Sequence, residues 1–122
     1  MPFIEVLGPD LAPAPRLAAA HGMTEGLAAA FGIAPSIITV YFQPVDRGLY
    51  VHAGAAAAPQ EAMRVFIKVH AFPRDVAMKR PAAASMTQAY AQATGVPPKS
   101  IAIYFLDRPA EDVAHGGVLA CD

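Results

Sequence analysis

The chemistry in this chain begins at its second letter. Pro2 follows Met1 directly, and its nitrogen becomes a free secondary amine when Met1 is removed. An ordinary α-amino group titrates at about 7.7–8.0. Burial in an apolar site, or a guanidinium close by, disfavours the charged form and lowers that value. A neutral prolyl nitrogen is then a base or a nucleophile near neutrality. Little else in the chain offers a competing chemistry. The four histidines, His21, His52, His70 and His115, show no ligand spacing such as His-x-x-x-His, and the one cysteine, Cys121, stands beside the C-terminus. No metal site and no intramolecular disulfide are therefore expected. There is no glycine-rich phosphate loop, serine elbow or basic aromatic stripe. His21 and His70 read as structural residues.

The elements that must position Pro2 follow from periodicity. Pro2 to Leu7 reads as a strand, with Ile4 and Val6 on one face and Phe3, Glu5 and Leu7 on the other. Gly8-Pro9-Asp10 breaks it. Pro13 and Pro15 suit a loop or the first turn of a helix running to about Phe31. Ala20, Met23, Leu27 and Phe31 recur at helical spacing, and Gly32 is the expected stop. Ser36 to Gln43 reads as the second strand, and Leu49 to His52 as a short strand or hairpin arm. Arg64 to Phe72 is the third strand, followed by a helix to about Thr94 and a fourth strand from Ser100 to Leu106. Pro81 predicts that the second helix either starts there or kinks in its first turn.

The two halves share one register. At an offset of 63, Phe3 meets Phe66, Ile4 meets Ile67, Met23-Thr24 meets Met86-Thr87, and Tyr41-Phe42 meets Tyr104-Phe105. His52 and Gly54 meet His115 and Gly117 without a gap. This is the pattern of an internal duplication. The expectation is one α/β domain over 1–122, made of two β-α-β units at about 2–58 and 65–122, with a four-stranded sheet and two helices on one face. Hydrophobic residues make up 55% of the 122, but much of that is alanine and there is no tryptophan, so burial of a sheet or helix face in an oligomer is expected. The net charge of −1 gives no reason to expect nucleic acid or an anionic membrane as partner. No apolar run approaches a membrane span, and no signal peptide is visible, so the expected compartment is the cytoplasm.

A Met-Pro start, a β-α-β unit of about 60 residues and its tandem repetition together resemble the tautomerase superfamily. The second half is similar to a 4-oxalocrotonate tautomerase unit in its strand, its helix stripe Ala83/Met86/Tyr90/Thr94 and its glycine-containing tail. The stretch Ile101 to Phe105, followed by Pro109-Ala110 and His115-Gly116, is similar to the fused-unit branch that includes cis-3-chloroacrylic acid dehalogenase.

The resemblance implies a catalytic proline at Pro2, a substrate-binding arginine at Arg74 and an active-site tyrosine at Tyr104. It also implies a homotrimer and no cofactor. A second arginine expected three residues before Arg74 is Ala71, a helix histidine of the dehalogenase is Ala29, and the water-activating carboxylate falls at His115. The aspartate of decarboxylating members is absent from Ile37-Ile38-Thr39. These departures argue against hydration, dehalogenation and decarboxylation. Moving a proton between carbon and oxygen of an enol acid needs a base, a cation for the carboxylate and a donor for the developing oxyanion. Pro2, Arg74 and either Tyr104 or His115 supply that set, with Arg108 and then Arg16 as further candidate cations. The expected function is cofactor-free keto–enol tautomerisation of a small unsaturated or 2-oxo carboxylic acid. The alternatives are water addition to such an acid and a non-catalytic trimeric scaffold.

Overall fold

The computed structural model describes every residue from Met1 to Asp122. The first unit comprises β1 (Phe3–Gly8), α1 (Pro13–Phe31), β2 (Thr39–Pro44) and a small hairpin of β3 (Val51–His52) and β4 (Ala55–Ala56). The second comprises β5 (Val65–Ala71), α2 (Val76–Thr94), β6 (Ile101–Asp107) and a hairpin of β7 (Ala114–His115) and β8 (Val118–Leu119). Both helices and both hairpins begin and end 63 residues apart.

One mixed sheet joins the units in the order β2-β1-β5-β6. Each unit pairs its own two strands in parallel, as a β-α-β crossover requires, and the inner strands β1 and β5 run antiparallel. Phe3 lies opposite His70, Glu5 opposite Lys68 and Leu7 opposite Phe66. Glu5 and Lys68 are themselves 63 positions apart, so an approximate twofold axis passes through that pair.

Both helices cover one face of the sheet. Ile4, Val6, Val65, Ile67 and Val69 point into the core, where they meet Met23 and Leu27 of α1 and Met86 and Tyr90 of α2. The buried stripes start at Ala19 and Ala82, one residue earlier than periodicity suggests, with Ala20 and Ala83 turned partly outward. The helices approach so closely that a Cβ at Gly22 would stand 2.7 Å from Ala89 Cβ, and one at Gly26 would stand 2.8 Å from Ser85 Cβ. The twofold axis exchanges these two contacts. The second helix begins at Val76, ahead of Pro81, because the Asp75 carboxylate accepts from the Met78 amide at 3.0 Å and caps the first turn. Pro81 therefore stands in the helix interior, where the Ala77 carbonyl loses its usual donor.

The other face of the sheet is uncovered. Phe3, Leu7, Tyr41, Phe66 and Tyr104 lie on it; Phe66 and Tyr104 stack with ring centroids 5.8 Å apart, and Phe3 meets Tyr41 edge-on at 6.3 Å. Tyr41 and Tyr104 each keep more than half of their surface exposed, at 58% and 53%. No helix is long and apolar enough to cross a membrane.

Candidate active site

The strand order decides which residues meet. Because β1 and β5 are antiparallel, the start of β1 lies beside the end of β5. Because β5 and β6 are parallel, the end of β6 lies there too. Pro2, the Ala71-Phe72 corner and Arg108 are thus brought to one end of the sheet from three distant places in the chain. They line a cavity of about 540 Å³ together with Met1, Phe3, His70 and Arg74. Ile33 and Ile37 close it from the turn after α1, and Asp112, Val113 and Ala114 from the segment after β6. Most of this wall is apolar. A cation held there meets a lower effective dielectric than in water, which strengthens its hold on an anion.

Two guanidinium groups face the cavity. Arg74 donates through Nη1 to the Phe72 carbonyl at 2.9 Å and the Pro73 carbonyl at 3.2 Å, and its guanidinium lies 4.9 Å from the centre of the Phe31 ring. Those contacts fix the plane of the group and leave Nε and Nη2 without a protein partner, a geometry suited to a bidentate carboxylate. Arg108 is tied by its backbone, whose amide donates to the Ala71 carbonyl at 2.8 Å. Its side chain has no carboxylate partner and reaches His70 Nδ1 at 3.5 Å. Position 71 holds alanine where the resemblance calls for an arginine, and Arg108, just past the end of the neighbouring strand, supplies a cation beside it.

At the opposite end of the twofold axis, the Val45 amide donates to the Gly8 carbonyl at 2.7 Å, reproducing the Arg108–Ala71 bond. The residues there differ. Val65, Leu7, Leu11 and Val45 occupy the positions that correspond at the 63-residue offset to Pro2, His70, Arg74 and Arg108.

No family model matches the chain, and no curated protein does. Solved structures match over nearly its whole length. A wild-type fused 4-OT symmetric trimer superposes with a TM-score of 0.86 at 20% identity, over 98% of this chain and 96% of the other. Pt0534 inactivated by 2-oxo-3-pentynoate gives 0.87 at 16% identity, over 98% and 96%. The chain has the tautomerase-superfamily fold. A member of the cis-3-chloroacrylic acid dehalogenase family shares it, with a TM-score of 0.80 at 21% identity over 96% of this chain and 82% of its own.

Within this tautomerase fold, Pro2, Arg74 and Arg108 come together in one cavity, whereas Tyr104 and His115 do not line it. Tyr104 faces the uncovered side of the sheet against Phe66, and His115 is exposed in the β7–β8 hairpin. Arg16 is also elsewhere, donating to the Leu11 carbonyl at 3.4 Å. His70, read from sequence as structural, lies in the cavity wall, and so does Asp112, which sequence reasoning passed over. The signal for His70 was its strand parity: it shares the uncovered face with Phe66 and Lys68, opposite Phe3. Asp112 carried no local signal, since its place depends on the turn that brings residues 112–114 back over the end of the sheet.

Proposed function

We propose that this protein is a tautomerase that moves a proton between the enol and keto forms of a small unsaturated or 2-oxo carboxylic acid. The observation that carries the reading is the convergence of Pro2 with two guanidinium groups in one largely apolar cavity. With Met1 removed, the Pro2 nitrogen takes the proton from the enol hydroxyl and returns it to carbon. An O–H bond breaks, a C–H bond forms, and no electrons leave the substrate, so the step needs no cofactor. Arg74 and Arg108 hold the carboxylate and stabilise the charge that develops on the adjacent oxygen. Met1 is 70% exposed, so nothing in the fold shields its peptide bond by burying the side chain.

The working form in this reading is a homotrimer in the cytoplasm. The uncovered aromatic sheet face supports association, because an apolar surface of that kind is unusual on a monomer. Tyr104 lies on that face, so in this reading it belongs to the associating surface and not to the cavity of its own chain. A second reading, water addition to an unsaturated acid, is favoured by one observation: Asp112 lines the cavity, and a carboxylate is the kind of base that activates water.

The test is covalent. Incubation with 2-oxo-3-pentynoate followed by intact and peptide mass spectrometry should show loss of Met1 and one adduct on Pro2. Phenylpyruvate and 2-hydroxymuconate should both be tried as substrates, and Pro2→Ala should abolish turnover. Retention of Met1, or a Pro2→Ala protein as active as the parent, refutes the proposal. Hydration of the acid lost on Asp112→Asn would favour the second reading.

A further inference from the structure

The side chain of Arg108 is exposed at the cavity rim. Its one side-chain partner is His70 Nδ1 at 3.5 Å. His70 is itself restrained twice. Its ring lies flat on Phe3, with centroids 4.2 Å apart and planes 6° from parallel. Its Nε2 lies 2.5 Å from Glu5 Oε1. The stack fixes the plane of the imidazole, and the carboxylate fixes which edge points which way.

The chemistry of the two partners points to one arrangement of the protons. A guanidinium only donates, so Nδ1 must accept; an ionised carboxylate only accepts, so Nε2 must donate. The imidazole between them is neutral in this arrangement. We propose that His70 is a positioning residue for Arg108. Glu5 holds it as the Nε2–H tautomer, and its Nδ1 lone pair steers the guanidinium toward the cavity. This role rests on the tautomerase reading for the carboxylate that Arg108 is to meet.

The arrangement has a physical advantage over a direct ion pair. A carboxylate placed against Arg108 would orient it and at the same time neutralise it, competing with the substrate's own carboxylate. A neutral ring interposed between Glu5 and Arg108 passes on the orientation and keeps the charge available. The long 3.5 Å contact suits steering, since it occupies one donor and leaves the rest of the guanidinium for the ligand.

The experiment measures inactivation by 2-oxo-3-pentynoate, separating the half-saturating concentration KI from the maximal rate. Asparagine places an oxygen where the imidazole has Nδ1, whereas glutamine places its polar group where the imidazole has Nε2. If His70 serves Arg108, His70→Asn keeps a KI near the parent's. His70→Gln and His70→Phe should raise KI about tenfold, the effect of one charge-assisted hydrogen bond. Arg108→Ala should raise KI at least as much, and His70→Phe added to it should cost nothing further. If His70 merely braces Glu5 and Phe3, the order reverses and His70→Gln is the mildest change; that result overturns the proposal. A parent protein that is not labelled at Pro2 refutes the tautomerase reading, and with it the ligand assigned to Arg108. A parent that labels normally while every His70 variant keeps its KI refutes only the role of His70. Long-range 1H–15N correlation at neutral pH reads the tautomer without any turnover. A bare Nδ1 and a protonated Nε2 support the arrangement, and a protonated Nδ1 overturns it.

Discussion

The contact between the two helices makes a sharp test of the fold, because two opposing effects of known size meet at Gly22. Replacing a helical glycine with alanine ordinarily stabilises by about 1 kcal/mol, since alanine orders the backbone at lower entropic cost. Here the new methyl would sit 2.7 Å from Ala89 Cβ. Carbon atoms prefer roughly 3.5–4.0 Å, so the helices must part or shift by about an ångström. Overpacking of that kind costs about 1–3 kcal/mol. The helices cannot part without loosening Met23, Leu27, Met86 and Tyr90, all fully buried beneath them, so the upper half of that range applies. Gly22→Ala should therefore destabilise by about 1–2 kcal/mol net of the propensity gain, or lower Tm by about 4–8 °C. Thermal unfolding must be followed at one fixed protein concentration, because association shifts Tm by mass action. Adding Ala89→Gly moves the vacancy to the other helix, cancels the propensity term and should restore most of the loss. A Gly22→Ala protein with raised Tm, or a double variant no better than the single, would refute the close approach.

Three other perturbations follow from particular residues. Burial raises the Tyr90 phenol above its ordinary value near 10, and its hydroxyl has no hydrogen-bond partner. Above about pH 10 the unfolded chain sheds that proton while the folded one keeps it, so stability is whole below this pH and declines as pH climbs toward the folded value. Tyr90→Phe should flatten that alkaline decline in urea titrations, and at neutral pH it should be neutral or stabilising by about 1 kcal/mol. Ala53 is held at φ 53° in the β3–β4 turn, where its counterpart 63 residues on is Gly116 at φ 59°. Ala53→Gly should relieve about 1 kcal/mol of left-handed strain, visible as slower amide exchange in the hairpin. Tyr104→Asp on the uncovered sheet face should leave the far-UV circular dichroism unchanged and lower the mass seen by light scattering from that of the proposed trimer toward that of one chain.

Much of this was legible in the sequence, for physical reasons that also mark where legibility stops. Strand alternation placed Ile4 and Val6 inward, and glycine at φ 65° ends α1 at Gly32 as expected. Met23, Leu27, Phe31, Met86 and Tyr90 are buried as the stripes predict, and only the first member of each stripe moves by one residue, because Ala19 and Ala82 are chosen by what lies opposite them. Pro81 left the start of α2 open in the sequence, and the Asp75 cap decides it, setting the first turn at Val76 with the proline inside the helix. The cavity was half legible. Pro2, Arg74 and Arg108 carry chemistry in their own names. His70 and Asp112 do not, since their neighbours come from Glu5, Phe3 and the end of the sheet, contacts set by register rather than by spacing.

The matching backbone bonds at the two ends of the sheet, Arg108 to Ala71 and Val45 to Gly8, show that the two halves share one geometry while only one of them carries the polar residues. Placing arginines at Leu11 and Val45 would give that end a grip on anions. It could never give that end a base of the same kind, because Val65 sits in mid-chain and a polypeptide has only one beginning. A twofold-related fold of this kind therefore offers two matching ends but only one N-terminal proline, and no substitution within the chain can change that ratio.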